Sequence, residues 1–153
     1  MIELRTILVP TDFSANAAHA YPYAAEFARR FSARLLVAHV TEPTIYAVGV
    51  GQVALGWEQI ESDIRAGVDE QFAKLRADFP GQIEPETVRL EGTPFAALIQ
   101  LARSRRVDLI VMATHGHTGV KHLLLGSTAE RVVRKAPCPV LTVHPGERSF
   151  VMP

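Results

Sequence analysis

Short apolar runs alternate with longer stretches of helical period from one end of the chain to the other. Thr6-Ile7-Leu8-Val9 is a run of strand length, stopped by Pro10, which has no N–H to give a ladder. A helix is predicted next, opened by Ser14 as N-cap, with Ala20, Ala24, Phe27, Ala28 and Phe31 on one face. Pro22 falls inside that stretch, so a kink or a late helix start is expected there. Leu35 to Val40 is the second strand. Thr41 to Gly56 carries Gly49, Gly51 and Gly56 and no clear period, and reads as a long connection. From Glu58 the helical period returns, with Ile60, Ile64, Val68, Phe72, Leu75 and Phe79 on one stripe, and Pro80-Gly81 ends it.

The second half repeats the alternation. A strand runs from about Glu86 to Leu90, and Gly92-Thr93-Pro94 opens a helix with Thr93 as N-cap and Pro94 in its first turn. Phe95, Leu98, Ile99 and Ala102 keep its apolar face. Leu109 to Ala113 is apolar throughout, as a strand covered on both faces must be. A glycine-containing loop leads to a helix from Ser127 to about Lys135. Pro137-Cys138-Pro139 breaks it, and Val140 to Val143 is the last strand. Five strands with four intervening helices predict a parallel sheet, and right-handed crossovers place helices on both faces. The alternation alone leaves the strand order open.

Composition narrows the class. At 153 residues the chain suits one domain spanning 1–153, and its 48% hydrophobic and 21% charged content is that of an ordinary globular protein. Sixteen basic residues balance sixteen acidic ones, so no net field gathers nucleic acid or anionic lipid, and any bound anion needs a local site. No apolar run approaches membrane-spanning length, and the N-terminus lacks the layout of a secretory signal. Cys138 is the only cysteine, which excludes an intrachain disulfide framework. A cytoplasmic protein is the simplest expectation.

The stretch from Ala113 to Thr128 carries the most chemistry. It leaves the carboxyl end of a buried strand and delivers Gly126-Ser127-Thr128 to a helix start. A helix N-terminus has unpaired N–H groups and about half a positive charge, which suits phosphate, and glycine lets backbone approach an anion. Ser127 and Thr128 add hydroxyls, and Lys121 adds a positive charge. An ordinary loop with Ser127 or Thr128 as helix cap fits the spacing equally well. The stretch is neither a Walker P-loop nor the G-x-G-x-x-G dinucleotide turn. His115, His117 and His122 share the loop, but no cysteine or carboxylate at ligand spacing accompanies them, so no dedicated metal site is expected. His39 and His144 read as satisfied core or edge residues, Cys138 as structural, and Arg103, Arg105 and Arg106 as a solvated helix end.

The loop resembles the nucleotide signature G-x2-G-x9-G-[S/T] of the universal stress protein family. Gly116 matches its second glycine, nine residues follow, and Gly126-Ser127 comes next. Ala113 departs from the pattern at the first glycine. Ile7 to Ser14 looks like the family's opening strand and turn, and Ala136 to Leu141 like its closing strand. The resemblance spans the chain. It implies a Rossmann-like, adenine nucleotide α-hydrolase-like fold with strand order 3-2-1-4-5, and ATP, with Mg²⁺ held mainly by the phosphates, as ligand. Carried over by residue, Pro10, Thr11 and Asp12 hold the adenosine, Asp12 on a ribose hydroxyl, and Val40 meets adenine through its backbone. Met112, Ala113 and Gly116 line the nucleotide, and Gly126, Ser127 and Thr128 hold the phosphates. A turn-capping role for Asp12, and plain core packing for Val40 and Met112, stay open.

The resemblance also implies a homodimer through Val140 to Val143 and a regulatory or stress-response role, exercised on a protein partner still to be defined, with little or no hydrolysis. No general base or arginine finger stands near the loop in sequence. Two alternatives are an ATP-using hydrolase or transferase on the same fold, and a member that has lost ATP and acts by protein contact. The first lacks its Ser-Gly-Gly-x-Asp-Ser or His-x-Gly-His marks; Ala113 is the feature favouring the second.

Overall fold

A computed structural model describes residues 1–43, 54–115 and 125–144. The strands are β1 (Thr6–Pro10), β2 (Arg34–Thr41), β3 (Glu86–Glu91), β4 (Leu109–Ala113) and β5 (Val140–Val143). The helices are α1 (Ala15–Ala18), α2 (Tyr21–Phe31), α3 (Ala54–Asp78), α4 (Pro94–Ser104) and α5 (Ser127–Lys135), with a 3-10 turn at Pro80–Gln82. All strand pairings are parallel, in the order β3-β2-β1-β4-β5 that the resemblance implies.

Strand alternation divides the core into two layers. Ile7, Val9, Leu35, Val37 and Val111 face Ala24 and Ala28 of α2 and Val68 and Phe72 of α3. Leu8, Leu36, Ile110 and Met112 face Leu98, Leu101 and Ala102 of α4 and Ala129 and Val132 of α5. Both sheet faces are therefore covered, which is why these strands read as continuous apolar runs. Asp108 fastens β1 to the start of β4, its Oδ2 accepting from the amides of Arg5 and Thr6 at 2.8 and 2.9 Å.

Pro22 splits the first predicted helix. Ser14 caps α1, its Oγ accepting from the Ala17 amide at 3.1 Å. The chain breaks at His19 and Ala20, and α2 restarts with Pro22 in its first turn, where a missing N–H costs no helical bond. Thr93 occupies the cap position before Pro94, but its side chain makes no cap bond; its carbonyl accepts from the Ala97 amide instead. Gly92 ahead of it has φ 122°, a conformation that a Cβ disfavours.

The long stripe on α3 packs only in part. Val68, Phe72 and Phe79 are buried, whereas Ile60 and Ile64 are 38% and 39% exposed. Length explains this: at 25 residues α3 runs about 37 Å at 1.5 Å per residue, while the eight residues of β2 rise about 27 Å. Its first turns overhang the sheet. The helix also begins at Ala54, earlier than the expected Glu58, and the rest of the predicted connection, residues 44–53, lies outside the described residues. Phe31 is likewise 39% exposed, stacked on Phe27 rather than inserted in the core.

Cys138 is half-buried between its prolines. Burial, and then the nearby Asp108 carboxylate, push its thiol above its ordinary value, which suits a structural residue rather than a nucleophile. No helix among the described residues is long and apolar enough to cross a membrane.

Candidate functional site: a crevice where β1 and β4 part

The sheet is unevenly laced. Five positions pair β1 with β2, six pair β2 with β3 and four pair β4 with β5, but only Ile7↔Leu109 and Leu8↔Ile110 join β1 to β4. Pro10 contributes to this. The Thr11 amide donates to Ala38 of β2, so alternation turns the backbone of Pro10 toward β4. A proline there has no N–H to continue the ladder. The seam opens at the point where the connection direction reverses, the place where open α/β sheets bind ligands.

A crevice of about 590 Å³ occupies the opening, within the range of small-molecule sites. Pro10, Thr11, Asp12, Val40, Met112, Ala113, Gly126, Ser127 and Thr128 all line it, drawn from three strands and one helix. Gly116 lies outside the described residues, as do His117, Lys121 and His122. His39, Glu42, Pro94 and His115 line the crevice too, and none of them was read from the sequence as a nucleotide contact. Parallel register places them there, over separations that periodicity does not report.

Two backbone segments face the opening. The bonds Thr11 N–H to Ala38 O and Gly92 N–H to Thr41 O fix the alternation of β2: Ala38 faces β1 and Thr41 faces β3. The N–H and C=O of Val40 therefore point to the β1 side, past the last residue of β1. Ile110 and Thr114 donate toward β5, to Pro139 O and Val143 O, so the backbone of Ala113 points toward β1 as well.

The first turn of α5 closes the far end. Gly126 holds the cap position without a side-chain cap bond, and the N–H groups that open a helix have no partner within it. Crowding favours glycine here: a Cβ on Gly126 would lie 3.1 Å from the Thr114 carbonyl oxygen, which already accepts the Gly126 amide at 2.7 Å. Gly126 is half-buried against β4, not the freely exposed loop residue its sequence context suggests. Thr114 also bridges two histidines, its Oγ1 lying 2.9 Å from His115 Nδ1 and 3.3 Å from His144 Nδ1.

The turn after β1 is tied on every side. Asp12 Oδ1 accepts from both the amide and the hydroxyl of Ser14, so Asp12 does cap the turn while lining the crevice. Thr11 Oγ1 accepts from the Phe13 amide at 2.9 Å and bonds the Tyr21 hydroxyl. Burial raises the Tyr21 phenol above its usual value, keeping it a neutral hydroxyl. Phe13 sits at φ 61°, a left-handed conformation uncommon outside glycine.

A doubly wound parallel α/β domain with a crevice at its switch point is what the fold and site define. Comparison with known proteins makes the assignment narrower. The profile of the Universal stress protein family matches residues 3–144. Universal stress protein MJ0531 of Methanocaldococcus jannaschii is 36% identical over 142 residues, covering 91% of this chain and 81% of that protein. A universal stress protein of Thermus aquaticus is 37% identical over 143 residues, covering 92% and 98%. Among solved structures, UspA of Lactobacillus plantarum superposes with TM-score 0.79 at 24% identity, over 94% of this chain and 99% of that one. A universal stress protein in complex with cAMP gives 0.62 at 26% identity over 95% and 100%. One from Archaeoglobus fulgidus with dAMP gives 0.59 at 20% over 93% and 98%. The chain belongs to the universal stress protein family.

Proposed function

We propose that this protein binds ATP in the crevice between β1 and β4 and acts as a regulatory stress-response protein with little or no turnover. The observation that carries the reading is the opened seam. It gathers the residues carried over from the family resemblance, except Gly116, around one cavity with a helix N-terminus at its end. Val40 offers one N–H and one C=O side by side, which fits the N1 acceptor and N6 amino donor of adenine. Asp12 stands where a ribose hydroxyl would come, and the N–H groups of Ser127 and Thr128 with their hydroxyls suit phosphate oxygens. That a universal stress protein of this fold was solved in complex with cAMP, itself an adenosine phosphate, supports the choice of ligand. Magnesium, where it accompanies ATP, would be held mainly by the phosphates. The test is to denature protein purified from cells and identify the released nucleotide. An adenine nucleotide in near-stoichiometric amount supports the reading. Its absence, together with no binding of added ATP, favours action by protein contact alone.

Ala113 decides how well the site tolerates its departure from the family glycine. Alternation along β4 places its side chain on the same face as Val111, toward the α2–α3 layer, while its backbone faces the crevice. Ala113→Gly is expected to change ATP affinity by less than about tenfold, or roughly 1.4 kcal/mol. A much larger gain in a calorimetric titration would mean that the methyl group obstructs the nucleotide.

The same reading includes a homodimer through β5. The two sheet edges differ. β3 carries Glu86, Arg89 and Glu91, with Arg89 paired to Asp69 and Glu86 to Arg105. β5 is Val-Leu-Thr-Val with no charge, and Val140 and Leu141 remain half-exposed. An uncharged edge invites strand pairing, whereas a charged one discourages it. Light scattering is expected to give about twice the 16.8 kDa chain mass at micromolar concentration, and Leu141→Arg to return the monomer. A wild-type monomer would rule out the dimer.

A further inference from the structure

We infer that His39 is a positioning residue, which sets how tightly Asp12 grips the sugar by fixing the peptide in front of it; this rests on the nucleotide reading above. His39 Nδ1 lies 2.9 Å from the Thr11 carbonyl oxygen. A carbonyl only accepts, so Nδ1 carries the proton and donates it. The bond joins β2 to the end of β1 beyond the last ladder rung, from a side chain that also lines the crevice. It completes Thr11: its amide donates to Ala38 O, its hydroxyl bonds Tyr21 and Phe13, and its carbonyl takes the His39 proton.

The consequence reaches Asp12 through the peptide plane. Thr11 C=O and Asp12 N–H belong to one rigid trans unit, so holding the oxygen orients the whole peptide and the Cα that follows. The next residue needs that control. Phe13 is left-handed, and its ring is wedged between His39, at 4.6 Å between centroids, and Phe72, at 5.2 Å edge-on. A conformation of this kind persists only where its surroundings over-determine it, and such places cluster at binding sites. His39 supplies two of the restraints, one bond and one ring contact. The side chains of Leu35 and Val37, which precede it on the same face, are held by packing without any such bond.

The experiment compares ATP with 2′,3′-dideoxy-ATP by calorimetry in three proteins: the wild type, His39→Asn and His39→Gln. Asparagine can place an amide N–H where Nδ1 was, and glutamine places it near Nε2 instead. The wild type is expected to prefer ATP by about tenfold or more. His39→Asn should keep that preference within about threefold, and His39→Gln should lose most of it, with both variants folded by circular dichroism. A general structural defect would weaken both ligands equally and leave the ratio unchanged. If both variants discriminate as the wild type does, or both lose the preference equally, the inference falls while the nucleotide reading stands. If the wild type binds no ATP, the nucleotide reading falls and takes this inference with it.

Discussion

Gly126→Val is expected to abolish the stabilisation that ATP gives the wild-type protein. Ligand at about 100 times its dissociation constant should stabilise the fold by roughly 2.7 kcal/mol. In a domain of this size that raises the melting temperature by about 5–11 °C. The variant should show no rise. Its Cβ would already stand 3.1 Å from the Thr114 carbonyl oxygen, and two methyl groups beyond it have to enter either that contact or the phosphate site. Because the Gly126 amide is bonded to the same oxygen at 2.7 Å, the ligand-free variant should also melt somewhat lower than the wild type. Gly126→Ala separates the two effects: a shift of a few tenths of an ångström accommodates one methyl group, and binding should weaken without vanishing. GTP should stabilise the wild type less than ATP, because the N–H and C=O of Val40 meet a donor and an acceptor in reversed places on guanine. Identical melting curves with and without ATP in the wild type would defeat the binding claim. A full ATP shift in Gly126→Val would instead show that phosphates are held elsewhere.

Leu36→Ala should destabilise the fold strongly while leaving the crevice intact. Leu36 is fully buried on the α4–α5 face, beside Leu8 across the ladder. Removing three carbon atoms from a site that cannot collapse costs about 2–5 kcal/mol. The melting temperature should fall by about 5–20 °C. Val40 is four residues further along the same strand, about 13 Å away at 3.3 Å per residue, so ATP affinity of the folded protein should change little. Urea titration checks it, with a lower midpoint at unchanged slope. A loss below about 1 kcal/mol would contradict the packing described for this layer.

The parts of this fold that were legible in the sequence are those governed by local rules. β4, α5 and β5 fall at the bounds that apolar runs and the Pro137-Cys138-Pro139 break dictate, and Pro22 divides the first helix because a ring needs a first turn. The strand order came from resemblance, since alternation is the same for many orders. The overhang of Ile60 and Ile64 was not legible, because periodicity reports a face and not what stands opposite it. Asp12 shows the same limit at the site: a turn cap and a crevice residue look alike in sequence, and it is both. His39 was legible only as a residue needing a partner. That the partner is the Thr11 carbonyl depends on which residue of β2 stands beside the end of β1, and register decides that.

The unlike edges of the sheet bear on how large an assembly can grow. A strand-pairing protein with two bare edges is a bifunctional monomer, and addition at both ends propagates without limit. Among the described residues β5 carries no charge and β3 is studded with ion-paired charge, so the proposed pairing would give each copy one reactive end. Pairing of β5 with β5 would leave a ten-stranded sheet with a β3 at each outer margin, capped in the polymer chemist's sense. Concentration would then drive the protein to a pair and no further, which is a safeguard against fibre growth in a molecule whose sheet is otherwise an open one.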